Sequence, residues 1–345
     1  MVDCIYLQER MDGIMLKFDE KKQLDSVNGA LALRGRINEI VDGICGEGYR
    51  NICWMGIGGT YASCLQAEVH MAERSELDFF VVNAAEYLTT GNRKVKDGTV
   101  VVISSVTGNT AEMVDAVKKA REAGARVLGF IDEEKAALAQ MVDFEIAYPG
   151  NEQLKFFMVA DRFMFQAGEF AEYDVFYQEM DASLAQALVD VEKAADAFGE
   201  EFAKCHKDDE IHYFVGAGNQ YGAVYSYAMC YWEEQHWIRT KSIHSAEFFH
   251  GTLEVIDRDT AVTVFVGEDS QRALSLRVAD FLPKVCGRYH VIDTKDYELK
   301  GISPKFRGNI SHLVMHAITQ RIDAHVEQLN CHPMEIRRYY RRLDY

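Results

Sequence analysis

Twice in this chain a short apolar run stops at a glycine cluster and gives way to a helical pattern. Residues 51–55 end in Gly56-Ile57-Gly58-Gly59, and residues 211–215 end in Gly216-Ala217-Gly218. Near-continuous apolar strands of this kind are buried on both faces, which requires a parallel sheet with helices on each side. Further strands are predicted at 78–82, 99–104, 126–131 and 144–148 after the first turn, and at 262–266 and 288–292 after the second. Helices are predicted from the first turn to about residue 74 and from 109 to 123. Residues 151–206 read as helix almost throughout and contain no proline. The expected fold class is α/β, with two doubly wound units, each a mainly parallel sheet flanked by helices. The divisions are a helical segment at 1–34, a first unit at 35–150, connecting helices at 151–207, a second unit at 208–330 and a tail at 331–345. The length of 345 residues suits two domains, at ~150 residues each. The two openings are a structural echo rather than a sequence repeat.

Charge narrows the function. Lys and Arg total 37 against 54 Asp and Glu, a net charge of −17. Such a surface repels a phosphate backbone and disfavours polybasic membrane attachment, so neither nucleic acid nor membrane is an expected partner. No stretch approaches the ~18 uncharged apolar residues of a membrane span. The first residues lack the basic and apolar regions of a signal peptide. The eight cysteines, Cys4, Cys45, Cys53, Cys64, Cys205, Cys230, Cys286 and Cys331, form no Cys-x-x-Cys pair. Buried thiols in a reducing cytoplasm explain them better than disulfides or a zinc site, so a cytoplasmic location is expected.

Gly56-x-Gly58-Gly59 matches part of a dinucleotide-binding fingerprint. Tyr61 stands where the third glycine would be, and the second strand ends at Asn83 rather than an acidic ribose ligand. A tight strand-to-helix turn is the preferred reading. The segment Ser104-Ser105-Val106-Thr107-Gly108-Asn109-Thr110 is more specific. It places three hydroxyls, Ser105, Thr107 and Thr110, at a helix N-terminus, where exposed amides and the helix dipole favour a phosphate dianion. Plain N-capping needs only one hydroxyl, so three favour an anion site, with Val106 in the same loop. Thr60 is expected on the same carboxyl edge. The corresponding turn of the second unit, Val266-Gly267-Glu268-Asp269-Ser270, carries two carboxylates that repel a dianion. Only the first unit is therefore predicted to hold phosphate.

These residues carry a family resemblance. Ser-x-Thr-Gly-x-Thr after a buried strand is similar to the Ser-x-Ser-Gly-x-Thr loop of sugar isomerase (SIS) domains. Ile-Gly-Gly-Thr-Tyr at 57–61 looks like the Cys-Gly-Thr-Ser-Tyr turn of that family. Glu247-Phe-Phe-His-Gly-Thr-Leu-Glu254 resembles the Glu-x-x-His-Gly-Pro-x-Glu motif of double-SIS enzymes, with Thr252 in place of the proline. The chain most resembles the fructosamine-6-phosphate deglycases of the fructoselysine-6-phosphate type, whose Arg-Tyr-Tyr ending is like the tail Arg338-Tyr339-Tyr340. It also resembles the isomerase half of glucosamine-6-phosphate synthase. Two features differ from that enzyme: Cys4 is misplaced for a glutaminase nucleophile, and the last lysine is Lys305, so no C-terminal lysine is present for a Schiff base.

The resemblance implies that Glu234 and His250 are a proton-transfer pair. The residues themselves add that Tyr231, Trp232 and Trp237 crowd Glu234, and that partial burial raises a carboxyl toward the pKa of a working base. Glu233 is a rival, because adjacent helical residues face ~100° apart and only one can enter a site; a solvated helix face is the alternative for both. An imidazole suits a general acid, or His250 is a packed structural histidine. Glu247 orients His250, contacts a sugar hydroxyl or caps the turn. His312 and His316 have metal-ligand spacing but lack the glutamate of a zinc hydrolase. Arg338 and Tyr339 in the tail are expected to dock on the body, as a lid near an acidic or carboxylate-bearing substrate. The implied reaction is release of a hexose 6-phosphate and an amine from a fructosamine 6-phosphate. The C–H beside a keto group is already acidic, so no cofactor is expected. The resemblance also implies a homodimer with shared active sites. The alternatives are an amino-sugar or aldose–ketose phosphate isomerase or deaminase, and a non-catalytic phosphosugar-binding regulator.

Overall fold

The computed structural model describes residues 15–344. The first part of the expected 1–34 segment, including Cys4, and the terminal Tyr345 lie outside the described residues. The described residues pack as two compact units, one of residues 25–182 and one of residues 15–24 with 183–344. Each is built on its own parallel sheet flanked by helices, and the fold is α/β.

In the 25–182 unit the strands are β1 (Asn51–Gly56), β2 (Phe79–Asn83), β3 (Thr99–Ser105), β4 (Arg126–Ile131) and β5 (Phe144–Ile146), in the spatial order β2-β1-β3-β4-β5, all parallel. Every residue of β1 and β3 is buried, as central strands covered on both faces require. Helix α1 (Gly59–Ala72) follows β1, α2 (Ala111–Glu122) follows β3, and α3 (Glu152–Gln166) follows β5. The connection after β1 runs to one side and that after β3 to the other. Their turns therefore flank a topological switch point, the crevice where open α/β sheets bind ligands. Gly56 makes the first turn possible: a Cβ there would sit 2.6 Å from the Tyr61 amide nitrogen and 2.7 Å from the Thr60 carbonyl carbon.

The second unit repeats this order with four strands, β6 (Ile211–Gly216), β7 (Arg239–His244), β8 (Ala261–Val266) and β9 (Arg288–Asp293), arranged β7-β6-β8-β9. Its core gathers Val215, Ile243, Phe248, Val262, Val264 and Val278. Strand β7 was not expected. Its sequence, Arg-Thr-Lys-Ser-Ile-His, has no apolar run, because it is an edge strand with only Ile243 buried. After β6 comes helix α4 (Asn219–Ser226), which continues into a π-helical segment, Tyr227–Glu233. The expected helical stretch 151–206 is two helices, α3 and α5 (Tyr173–His206), and the chain ends on α6 (Arg307–Asn330) and the tail.

The end of α5 is tied to β6 by a buried cluster. Asp209 Oδ2 accepts from His206 Nδ1 at 2.7 Å and from His212 Nδ1 at 2.8 Å, and Arg288 holds the other oxygen. His212 Nε2 meets the Thr263 hydroxyl at 2.8 Å. Burial pushes the His212 ring down to about 4 despite the hydrogen bond to Asp209. Burial, with His206 beside it, does the same to His290, also to about 4. Burial alone would raise Asp209, but the two histidines more than offset this and hold it below the usual carboxylate range.

Gly56→Ala should cost about 1–3 kcal/mol by overpacking. Gly46→Ala, in a helix with nothing within 4 Å of the added Cβ, should stabilise by about 0.4–1 kcal/mol. Urea midpoints would separate the two, and equal effects would contradict the close-approach account. For acid, the unfolded chain protonates its histidines near pH 6.5, whereas folded His212 and His290 resist protonation down to about 4. The unfolded state then binds more protons across that window, so stability falls as pH drops from 6.5 toward 4, and Asp209 adds to the loss below that. Urea midpoints at pH 7.5, 6 and 5 should decline in that order. Replacing His212 and His290 together by Phe should flatten the slope.

Candidate functional site

Each unit carries a candidate site. In the 25–182 unit it is the turn between β3 and α2. Gly108 has a φ of +60°, and a Cβ there would lie 2.4 Å from the Ala136 methyl and 2.8 Å from Ile131 Cγ2, so only glycine fits. Ser105 is buried at the strand end and its Oγ accepts from the Gly108 amide at 3.0 Å. That bond uses a lone pair and leaves the hydroxyl proton to donate. Asn109 braces the loop from both sides: its Nδ2 donates to the Thr107 carbonyl at 2.9 Å, and its Oδ1 accepts from the Ala137 amide at 3.1 Å. Thr110 is the N-cap of α2, but its side chain makes no capping hydrogen bond. Thr107 and Thr110 are half-buried and Val106 is 68% exposed. The loop thus presents hydroxyls beside a helix N-terminus that the Thr110 side chain does not cap.

Thr60, at the start of α1, donates to Glu152 Oε2 at 2.9 Å. A carboxylate therefore already occupies its hydroxyl, a contact that the sequence alone did not reveal. The unit also contains Lys155, a lysine buried to 1% exposure. Its Nζ donates to the Tyr148 carbonyl at 2.7 Å and lies 3.6 Å from Asp132. Burial pushes this ammonium down, against the pull of Asp132 and Glu152. In the sequence it sits in an ordinary amphipathic helix.

The matching turn of the second unit is closed. Asp269 Oδ2 accepts from the Asn219 amide at 3.0 Å, and its Oδ1 accepts from the Gln271 amide at 2.9 Å. Gln271 Oε1 takes the Gly218 amide at 3.2 Å. The protein's own carboxylate thus holds the N-terminus of α4, and a Cβ on Gly218 would collide with it at 2.2 Å. Glu268 is engaged by Arg307 at 2.7 Å.

The second unit has instead an open groove of about 830 Å³ between the end of the π-helical segment and the tail, lined among others by Glu233, Glu234, Trp237, Arg337, Arg338 and Tyr339. Bonds to the residue five back create the π turns: the Glu234 amide donates to the Met229 carbonyl at 3.1 Å and the His236 amide to Tyr231 at 3.0 Å. Such turns are uncommon and cluster at functional sites. Glu233 accepts from the Thr240 amide and hydroxyl at 3.2 and 2.8 Å, which ties it to the start of β7. Glu234 Oε1 accepts from Arg337 Nε at 2.7 Å, and its side chain keeps 30% of its surface exposed. The Arg338 guanidinium lies 4.1 Å from the centre of the Trp237 ring, and the His332 ring is 4.0 Å from that of Trp237. Trp237 itself has a φ of +62°. Tyr339 is 64% exposed. The tail's ion pair with Glu234 runs through Arg337. The sequence singled out Arg338, and nothing in a run of four arginines ranks one above another.

His250 ends a short 3₁₀ turn, is exposed, and is not among the residues lining the groove. Its amide donates to the Glu247 carbonyl at 2.9 Å, and the Glu247 amide donates to the His244 carbonyl at 2.9 Å. Glu247 braces this turn with its backbone, while its side chain is exposed and makes no capping bond. Its charge acts on His244, a ring that burial pushes down and Glu247 pulls up. His316 Nε2 is 2.8 Å from the Gln320 amide nitrogen, four residues along α6. Among the described residues, the one trio able to share an ion is His206, Asp209 and His212. Both of their ring nitrogens already meet one carboxylate oxygen, and Arg288 on the other opposes a cation. No helix of the described residues is long and apolar enough to cross a membrane.

Residues 48–163 match the model of the SIS domain family. The fructosamine deglycase of Bacillus subtilis is 26% identical over 308 residues, covering 87% of this chain and 94% of its own. The fructoselysine 6-phosphate deglycase of Escherichia coli is 21% identical over 288 residues, covering 82% and 83%. Among solved structures, a protein of Bacillus subtilis described as a candidate phosphosugar isomerase superposes with a TM-score of 0.85 at 22% identity, over 94% of this chain and all of that one. The C-terminal domain of glucosamine-fructose-6-phosphate aminotransferase from Francisella tularensis gives 0.76 at 15% identity, over 91% and 95%. The chain is similar over residues 48–163 to SIS domains, and along most of its length to the fructosamine deglycase of Bacillus subtilis.

Proposed function

We infer that this protein is an enzyme that cleaves a fructosamine 6-phosphate to a hexose 6-phosphate and a free amine or amino acid. The observation that carries the reading is Glu234: a half-buried carboxylate on a π turn, in an open groove, with one oxygen held by Arg337 and the other turned to no partner among the described residues. That is the arrangement of a positioned general base. The similarity to fructosamine deglycases supports the choice of substrate. The loop of Ser105, Val106, Thr107 and Thr110, with Thr60, is assigned to the phosphate. Binding there has to displace Glu152 from the Thr60 hydroxyl.

The chemistry needs only proton transfers. His250 handles the ring-oxygen proton as the sugar opens. Glu234 removes a proton from C1, next to the keto carbon, and an enaminol forms. Return of a proton to C2 gives the imine of the aldose. Water adds to the imine carbon, the C–N bond breaks, and hexose 6-phosphate and amine leave. Glu247 is assigned to the turn that carries His250. The exposure of His250, outside the groove that holds Glu234, suits a histidine that serves a second subunit, so we place catalysis in a homodimer with shared sites. Work on a small phosphosugar in the cytoplasm fits the net charge of −17, because the anion site is local and made of hydroxyls and amides.

Glu234→Gln should lower kcat by about 10²–10⁴-fold on a fructosamine 6-phosphate, read as release of hexose 6-phosphate. Full turnover by this variant would remove Glu234 from the mechanism. A product screen that includes glucosamine 6-phosphate separates the deglycase from an amino-sugar isomerase or deaminase. For the shared site, mixing inactive Glu234→Gln and His250→Ala dimers and letting subunits exchange should restore about a quarter of wild-type activity, since half the dimers are mixed and each has one intact site. No recovery despite proven exchange would place both residues in one subunit's site.

A further inference from the structure

Arg337 stands out among the tail arginines for how its guanidinium is spent. Its Nε donates to Glu234 Oε1 at 2.7 Å. Its Nη1 donates to the backbone carbonyls of Met334 and of Ile336, the latter at 3.1 Å. The tail's own backbone therefore aims the group, and the tail is pinned in turn by Trp237 between Arg338 and His332. Glu234 sits just past the π turn, and among the described residues no other side chain bonds its carboxylate. A carboxylate with rotatable bonds loses effectiveness when it must be ordered at the moment of reaction, and a small misplacement can cost a hundredfold. A planar guanidinium held on a backbone hook removes that freedom, which a flexible ammonium does less well.

We propose that Arg337 is a positioning residue: through its contact with Oε1 it fixes the Glu234 carboxylate so that Oε2 faces the groove and takes the substrate proton. The tail then completes the catalytic apparatus from the opposite end of the chain. This rests on the reading of Glu234 as the base. It adds that the base works only when the tail is docked.

Arg337→Ala is the direct test, assayed as hexose 6-phosphate release under single-turnover and steady-state conditions. The expected result is a fall in kcat of about 10–100-fold with KM changed less than about threefold, because orientation and not substrate binding is lost. Arg337→Lys should recover part of kcat, and guanidinium added to Arg337→Ala should restore some activity in a saturable way. Unchanged kcat in Arg337→Ala, or a rise in KM alone, overturns the proposal, as does failure of both the Lys variant and added guanidinium to recover kcat. Thermal unfolding of Arg337→Ala that stays cooperative, with a midpoint well above the assay temperature, shows that loss of fold is not the cause. A parallel Glu234→Gln assay separates the two readings. If that variant keeps full activity, the base assignment fails; if it is dead while Arg337→Ala is fully active, the positioning role alone fails.

Discussion

A helix that starts where a parallel strand ends leaves backbone amides pointing out of the sheet, and something must satisfy them. Each unit of this protein meets that constraint after its two central strands, β1 and β3 in one and β6 and β8 in the other, which flank the point where the chain reverses its direction of travel across the sheet. The turn after β6 and the turn after β3 differ in how they do so. Asp269 and Gln271 take the amides of Asn219 and Gly218, so that turn is finished in the free protein. After β3, Thr110 occupies the N-cap position of α2 without a side-chain capping bond, and Ser105 Oγ accepts from the Gly108 amide. A carboxylate from one loop can thus fill the helix start of another.

The strands of the first sheet were legible because burial on both faces leaves little choice of residue: β1 and β3 are buried through their length and apolar at 52–55 and 100–103. Edge strand β7 was not, because a strand with one wet side is written mostly in polar residues. The Ser105–Thr110 loop could be read from its hydroxyls and from Gly108, whose missing side chain makes room for Ala136 and Ile131. The contact of Thr60 with Glu152 joins positions 92 residues apart and follows no local rule. The same holds for the buried Lys155, which owes its partners to the ends of neighbouring segments. Local patterns report what the backbone needs locally, whereas pairings between segments follow from topology.

Glu233 and Glu234 show the limit most clearly. Regular helical phase separates them, and the expectation was that only one would face a site. The π turns widen the helix there, and both carboxylates line the groove. What distinguishes them is bonding: Glu233 is spent on Thr240, and Glu234 meets the tail. The crowding aromatics also divide. Trp232 is fully buried against Phe214 and His212, and Trp237 turns outward to the tail with a left-handed backbone.

That division explains why the π segment persists. An i→i+5 turn has poorer hydrogen-bond geometry than an α-turn and survives only where packing over-determines it. Trp232 supplies the packing: its indole meets Phe202, His212, Phe214 and Tyr227, and His212 is itself locked by Asp209 and Thr263. Five residues later the chain reaches Trp237, where a positive φ on a bulky residue is a strained state that the Arg338 and His332 contacts help to offset. Glu234 lies between a buried anchor and a tail-held one. Its position is therefore set by contacts on both sides, and the histidine cluster under β6 and the arginine tail act on the same short stretch of backbone.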